Sequence, residues 1–274
     1  MEEINVVHKK IKIKGLKQSY RFLHITDTHI IRFGEGETKE RAEYAKPRVA
    51  HFSKDGITPD ERFRSYIEYA NAGQVAAVLL TGDIIDFPSP ENLAILREGL
   101  ETLEMPYIYT PGNHDWSYFD SYGSEDSVLR KRPLLRPFCD GAEDFHTLSV
   151  GELTFIALDN SMETYCPGAE EKLKKVLESA EHVIILQHIP LYCDTLHEDT
   201  VKKWKQDINL GGEGTFLDES ADRIRRILVD SPAVDAIICG HLHFDHEDLL
   251  DGALWQYVSN VGSYGDVALF EISG

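Results

Sequence analysis

The sequence predicts a single α/β domain whose main strands deliver chemistry-bearing residues to one edge of the fold. Three observations lead there. Short apolar runs alternate with amphipathic stretches along most of the chain, the pattern of strands feeding helices. Five runs end in residue types that ligate metals: Asp27-Thr28-His29, Gly82-Asp83, Gly112-Asn113-His114-Asp115, His188 and Gly240-His241-Leu242-His243. These groups stretch from Asp27 to His243, so cutting the 274 residues into two domains would divide them. One domain over residues 1–274 also has a core large enough to support a rigid site.

Taken in order, residues 4–13 alternate apolar and polar, as a half-exposed strand does. Residues 20–26 form the strand before Asp27. The stretch 31–58 is polar, glycine-containing and poorly periodic, which predicts a long active-site insertion. Thr58 followed by Pro59 has the cap-then-proline signature of a helix, here over 59–71. Residues 75–80 are an apolar strand running into the glycine turn at Asp83. Ser89-Pro90 opens a second helix that reaches about residue 103, and 106–110 is a short strand before Gly112.

Residues 116–140 are aromatic and polar, with Arg130, Lys131, Arg132 and Arg136 close together. Residues 145–150 and 153–159, joined at Gly151-Glu152, predict a β-hairpin. A helix over 168–180 and a strand over 182–188 follow. The polar stretch 191–216, with Gly211, Gly212 and Gly214, predicts a second loop over the site. The rest reads as a helix over 218–229 and strands over 234–239, 247–250, 254–259 and 267–272.

Twenty-eight basic against 47 acidic side chains give a net charge of −19, which repels phosphate backbones and argues against non-specific nucleic-acid binding. Two divalent ions would reverse that sign locally. Near the start, Lys9, Lys10, Lys12, Lys14 and Lys17 interrupt the apolar residues, unlike a signal peptide. No apolar run approaches the roughly 20 residues of a membrane span. Cys139, Cys166, Cys193 and Cys239 are scattered, which predicts reduced thiols, no zinc finger and a cytoplasmic protein with no membrane partner.

Each ligand group sits at the carboxyl end of a strand, the edge of α/β sheets where ligands bind. Histidine, carboxylate and amide donors together suit Mn, Fe, Zn, Ni or Co better than Ca. In order, the blocks read D-x-H, GDxxD, GNH(D/E), a later His and GHxH, and in this the sequence resembles the calcineurin-like metallophosphoesterases over nearly its whole length.

The resemblance implies a four-layer α/β/β/α sandwich, with two mixed β-sheets flanked by helices, and a centre of two divalent metal ions. Carried over motif by motif, Asp27, His29, Asp83 and His243 would hold one ion, and Asp83, Asn113, His188 and His241 the other. Asp83 would bridge them by offering one oxygen to each. A bridging hydroxide would attack phosphorus. His114 would protonate the leaving oxygen or stabilise charge on the phosphoryl group, with Asp115 either orienting its ring or serving simply as an acid of the turn. Asp86 would support a ligand histidine. With His29 in the first motif and Asp at position 86, the chain departs from the purple acid phosphatases, which place a ligand tyrosine there.

The expected activity is hydrolysis of a small phosphodiester or phosphomonoester, the diester favoured and nucleotides among the candidates. A nuclease using the same metals, or a scaffold that has lost catalysis, are the rival readings; complete ligands argue against the scaffold. The bland alternatives are weighed residue by residue. His246 reads as a strand-surface residue, and His8, His24, His51, His146, His182 and His197 as ordinary. The arginine cluster reads as a solvated basic patch, and Tyr109, Tyr118, Phe119 and Tyr122 as packing or as cover for the site. Oligomeric state stays open.

Overall fold

Most strands are apolar on both faces because both faces are covered. The computed structural model describes residues 4–34, 36–212, 219–252 and 254–274. One sheet contains β1 (Asn5–Lys12), β2 (Tyr20–Ile25), β3 (Ala77–Leu80), β4 (Tyr107–Tyr109) and β11 (Asp266–Ser273), in the order β1-β11-β2-β3-β4. Within it β2, β3 and β4 run parallel and β11 is antiparallel to β2. The other contains β5 (Phe145–Val150), β6 (Leu153–Leu158), β7 (His182–Leu186), β8 (Val234–Cys239), β9 (His246–Leu250) and β10 (Leu254–Val258), in the order β5-β6-β7-β8-β10-β9. Here β6, β7, β8 and β10 are parallel, and hairpin strands β5 and β9 close the two edges.

The period-2 alternation of each strand assigns its side chains to layers. Phe22, Leu79 and Ile108 from the first sheet meet Phe155, Ile184 and Ile238 from the second, and the Phe22 and Phe155 rings pack edge-on at 4.7 Å. Their neighbours Leu23, Ile25, Val78 and Leu80 face outward onto α2 (Pro59–Ala72) and α3 (Pro90–Glu101). On the far side Val183, Ile185 and Ile237 are covered by α4 (Ala169–Leu177) and α6 (Ser220–Asp230). The result is the four-layer α/β/β/α sandwich. Truncating a buried phenylalanine such as Phe22 in the central layer would cost about 3–5 kcal/mol.

The cap-then-proline signals mark real helix starts. The Thr58 N–H donates to the Glu61 carboxylate at 2.7 Å, and the Ser89 hydroxyl accepts from the Asn92 N–H at 3.0 Å. The predicted start of α6 at Asp218 lies outside the described residues, as do 213–216 of the predicted second loop.

Two stretches expected as loops contain helices. Within 31–58 lies α1 (Lys39–Phe52), capped by Thr38, whose hydroxyl accepts from the Arg41 N–H at 3.2 Å. Its apolar stripe is only Ala45, Val49 and Phe52, packed on Ile31, Phe87 and Tyr118 rather than on a sheet. Pro47, which ordinarily breaks a helix, sits inside it. Within 191–216 lies α5 (Asp194–Trp204), which buries only Leu196 and Thr200. The arginine cluster is not a solvated patch throughout: Arg132 is buried and paired with Asp159 and Glu143, and Arg136 also binds Glu143. No helix among the described residues is long and apolar enough to cross a membrane.

Candidate metal centre

The site is built where β2, β3, β4, β7 and β8 end. Just past those ends the backbone adopts conformations that side chains ordinarily avoid. Asp27, His29, Asp83, His241 and His243 all have positive φ, between 47° and 75°. They are five of the eleven non-glycine residues in that region among the described residues, so the strain is concentrated on the ligand candidates. In each of the two three-residue blocks the flanking residues turn inward while Thr28 or Leu242 faces away into buried surroundings.

Glycines let these turns close on one another. A Cβ on Gly112 would collide with the Asp83 backbone N and Oδ1, and one on Gly240 with the Thr26 hydroxyl and the Asp27 carboxylate. The blocks are then stitched together: the His29 N–H donates to the Asp83 carbonyl at 2.9 Å, and the His241 N–H donates to Asp27 Oδ2 at 3.0 Å.

All seven predicted ligands converge. On one side His29 Nε2 lies 3.2 Å from His243 Nε2, which lies 3.2 Å from Asp27 Oδ1. On the other, His188 Nε2 lies 3.2 Å from Asn113 Oδ1 and 3.3 Å from His241 Nδ1. Asp83 Oδ2 faces both groups, 3.9 Å from His29 Nε2 and 3.3 Å from His188 Nε2. This corrects the expected division of the carboxylate, one oxygen to each side. Asp83 Oδ1 is turned away and accepts the His114 N–H at 2.8 Å.

The chemistry of these donors fits cations. His29 Nδ1 faces the Asp86 carboxylate at 2.9 Å, and His188 Nδ1 faces the Thr81 carbonyl at 2.7 Å. Both partners only accept, so each Nδ1 carries a proton, and in its neutral form each ring presents the Nε2 lone pair to the centre. Lone pairs therefore point at lone pairs and at carboxylate and amide oxygens. Such an arrangement lacks a positive charge between them.

The ionisation of the groups says the same. Burial lowers His29 to about 4 and His241 to about 3, leaving both rings neutral near pH 7. Burial would raise Asp27, but the hydrogen bond and charge of His243 bring it down to about 2. Burial likewise opposes ionisation of Asp83, yet His188 and His114 hold it well below the usual carboxylate range. Burial would lower His188, whereas Asp83 raises it to about 10, so without a cation this ring takes a second proton on Nε2 and supplies the positive charge itself.

Around the ligands, Asp86 is the hub. Its carboxylate takes His29 Nδ1, receives two N–H groups from Arg48 and lies 3.4 Å from His114 Nδ1. Asp115 does not orient the His114 ring as expected. It is fully buried, with Oδ2 accepting the N–H of Asp83 at 2.8 Å and of Gly112 at 2.6 Å, and Oδ1 that of Ile85 at 2.9 Å. Its carboxylate ties the Asp83 turn to the Gly112 turn, and Asp86 takes the place beside His114. The His114 side chain is 29% exposed, the most open of the site's histidines for which the ion pairs show exposure.

Both expected insertions border the site. From α1, Phe52 stacks on His29 with ring centroids 4.1 Å apart and planes 11° from parallel. From α5, Trp204 packs edge-on against His243 at 5.7 Å and its indole N–H donates to the Leu242 carbonyl at 3.0 Å. Arg48, Phe52 and Trp204 were missed from the sequence; the 45, 49, 52 spacing was the signal that would have found α1. The two loop histidines are not among the ligands: His51 packs on Phe52 and His197 binds Asp207 at 2.9 Å.

Comparison with known proteins agrees with this geometry. A family model described as calcineurin-like phosphoesterase matches residues 20–245. The 3',5'-cyclic adenosine monophosphate phosphodiesterase CpdA of Escherichia coli K12 is 22% identical over 236 residues, covering 81% of this chain and 69% of that protein. A dimetal phosphatase from Danio rerio has the same fold, with a TM-score of 0.56 at 14% identity over 89% of this chain and 88% of that one. So does a purple acid phosphatase from yellow lupin, with a TM-score of 0.57 at 14% identity over 90% of this chain and 44% of that one. The chain belongs to the calcineurin-like phosphoesterases, metal-dependent hydrolases of phosphoric ester bonds.

Proposed function

We propose that the centre holds two divalent ions from the Mn, Fe, Co, Ni and Zn range, and that the enzyme hydrolyses a small phosphodiester in preference to a phosphomonoester. Asp27, His29, Asp83 and His243 would hold one ion; Asp83, Asn113, His188 and His241 would hold the other. The observation that carries this is the ring of histidine, carboxylate and amide ligand atoms gathered around Asp83 Oδ2, with ring nitrogens and oxygens 3.2–3.9 Å apart.

Ions bound there supply Lewis acidity to phosphoryl oxygens and bring the pKa of water toward about 7. The chain supplies the rest. Arg48 and Asp86 lock the His29 ring, and His114 Nδ1 lies 3.4 Å from the same Asp86 carboxylate. His114 is left to give a proton to the leaving oxygen, or to stabilise charge on the phosphoryl group, from its solvent side. Phe52 and Trp204 shape the mouth and limit water. The similar E. coli protein is named for cyclic AMP, which makes a cyclic nucleotide the first substrate class to try. The −19 charge favours such a small substrate over a nucleic acid.

The test is a panel of cyclic nucleotides, linear diesters, monoesters and single- and double-stranded DNA presented to manganese-loaded enzyme. Turnover of small diesters above monoesters and DNA is expected. Failure on every ester at saturating metal would overturn the reading.

A further inference from the structure

A second group of metal-ligating atoms lies outside the centre. Cys193 immediately precedes α5, and His246 and Asp248 stand on one face of β9. Cys193 Sγ is 3.5 Å from Asp248 Oδ2, His246 Nε2 is 3.6 Å from the same oxygen, and the three atoms all lie within 4.8 Å of one another. None belongs to the seven residues of the main centre. We propose that Cys193, His246 and Asp248 form a separate site for a borderline-soft divalent ion of the zinc class.

The spacing suits a tetrahedral ion. Bonds of about 2.3 Å to sulfur and about 2.0–2.2 Å to nitrogen and oxygen put neighbouring ligand atoms roughly 3.3–3.7 Å apart. The orientation of the ring suits it too. His246 Nδ1 lies 3.2 Å from Asp199 Oδ2, a carboxylate that can only accept, which orients the ring so that Nε2 faces the sulfur and Asp248 and is the nitrogen available to an ion. Nε2 has no hydrogen-bond partner among the described residues, although the side chain is only 10% exposed. The bland reading, a strand histidine paired with Asp199 and Asp248, accounts for the two ring nitrogens and leaves the Cys193 sulfur beside the same Asp248 oxygen without a role. Thr195 also donates its hydroxyl to Asp248 Oδ2, which fixes that carboxylate from the helix side. A thiolate beside an imidazole and a carboxylate selects zinc-like ions over Mg or Ca.

The site joins the start of α5 to β9. The other end of α5 carries Trp204 and Lys203, which hydrogen-bond the carbonyls of Leu242 and His243. An ion here would pin the helix that borders the main centre without touching substrate.

Cobalt-loaded full-length protein tests this apart from activity. Wild type should show thiolate-to-cobalt charge-transfer absorption; Cys193→Ala should lose it, and His243→Ala should keep it. Zinc-loaded Cys193→Ala and His246→Ala should each carry one ion per chain fewer than wild type after gel filtration. Asp248→Asn, which keeps the thiol, should also lose that ion with an unchanged circular dichroism spectrum, should the cysteine variant misfold. Absence of the band in wild type, its persistence in Cys193→Ala, or equal zinc content across the variants would overturn the site.

Discussion

Asp83 serves two groups of ligands with a single oxygen, because its other oxygen holds the His114 N–H. Removing it should therefore empty both halves of the centre, whereas Asn113 touches only the His188 side. Asp83→Ala is expected to lose both ions on purification, a larger effect than the roughly 10–100-fold in affinity lost when a ligand's hydrogen-bonding partner is removed. Asn113→Ala should retain one ion, and equal metal content in the two variants would refute the shared role. His114 raises a separate question, since its ring is close to Asp86 yet partly open to solvent. If it protonates the leaving oxygen, His114→Ala should slow esters of poor leaving groups by about 10²–10⁴-fold. Nitrophenyl esters, which leave without a proton, should lose far less; equal losses on both would remove it as the acid.

At the scale of elements, α1 is part of the centre's support as well as a cover. Arg48 holds Asp86, Asp86 holds His29, and Phe52 stacks on the same ring. Arg48→Met keeps the aliphatic stem and removes the fork, so metal affinity measured by chelator competition should fall about 10-fold while the fold persists. Unchanged affinity would show that Asp86 holds His29 unaided. The same contacts explain what the sequence revealed and what it hid. Every ligand was legible because it follows an apolar strand, and all but His188 sit beside a glycine or in a strained turn, as at Gly82-Asp83 and Gly240-His241. The helices α1 and α5 were not, because each buries only a narrow apolar stripe, α1 against loops and α5 through Leu196 alone, and Pro47 argues against helix. The role of Asp115 was misjudged for another reason. Adjacency to His114 in sequence suggested contact, but the turn sends its carboxylate back to three backbone N–H groups.

For the molecule as a whole, the two sheets must stay in register for ligands from both to meet, and His24 is one polar tie between them. It lies in β2 with no solvent exposure, its Nε2 2.7 Å from the Thr81 hydroxyl and its Nδ1 2.8 Å from the Ser259 hydroxyl just past β10. Burial lowers this ring from 6.5 to about 3, the nearby Asp27 charge opposing only in part. The folded protein therefore keeps His24 neutral over a range in which the unfolded chain protonates it. Below pH 6.5 the unfolded state binds one more proton than the native state, and stability falls as pH falls, until the folded ring also titrates near 3. The slope from this one group approaches ~1.4 kcal/mol per pH unit. His24→Gln retains a donor and an acceptor but no titrating ring. Whatever it costs at pH 7, its deficit relative to wild type should shrink steadily in urea unfolding at pH 6, 5 and 4, with the same metal loading in both proteins. Acid sensitivity from carboxylates and metal ligands is common to the two and cancels in the difference. Parallel pH profiles would mean that His24 already shares a proton in the folded state and is not the neutral tie between the sheets.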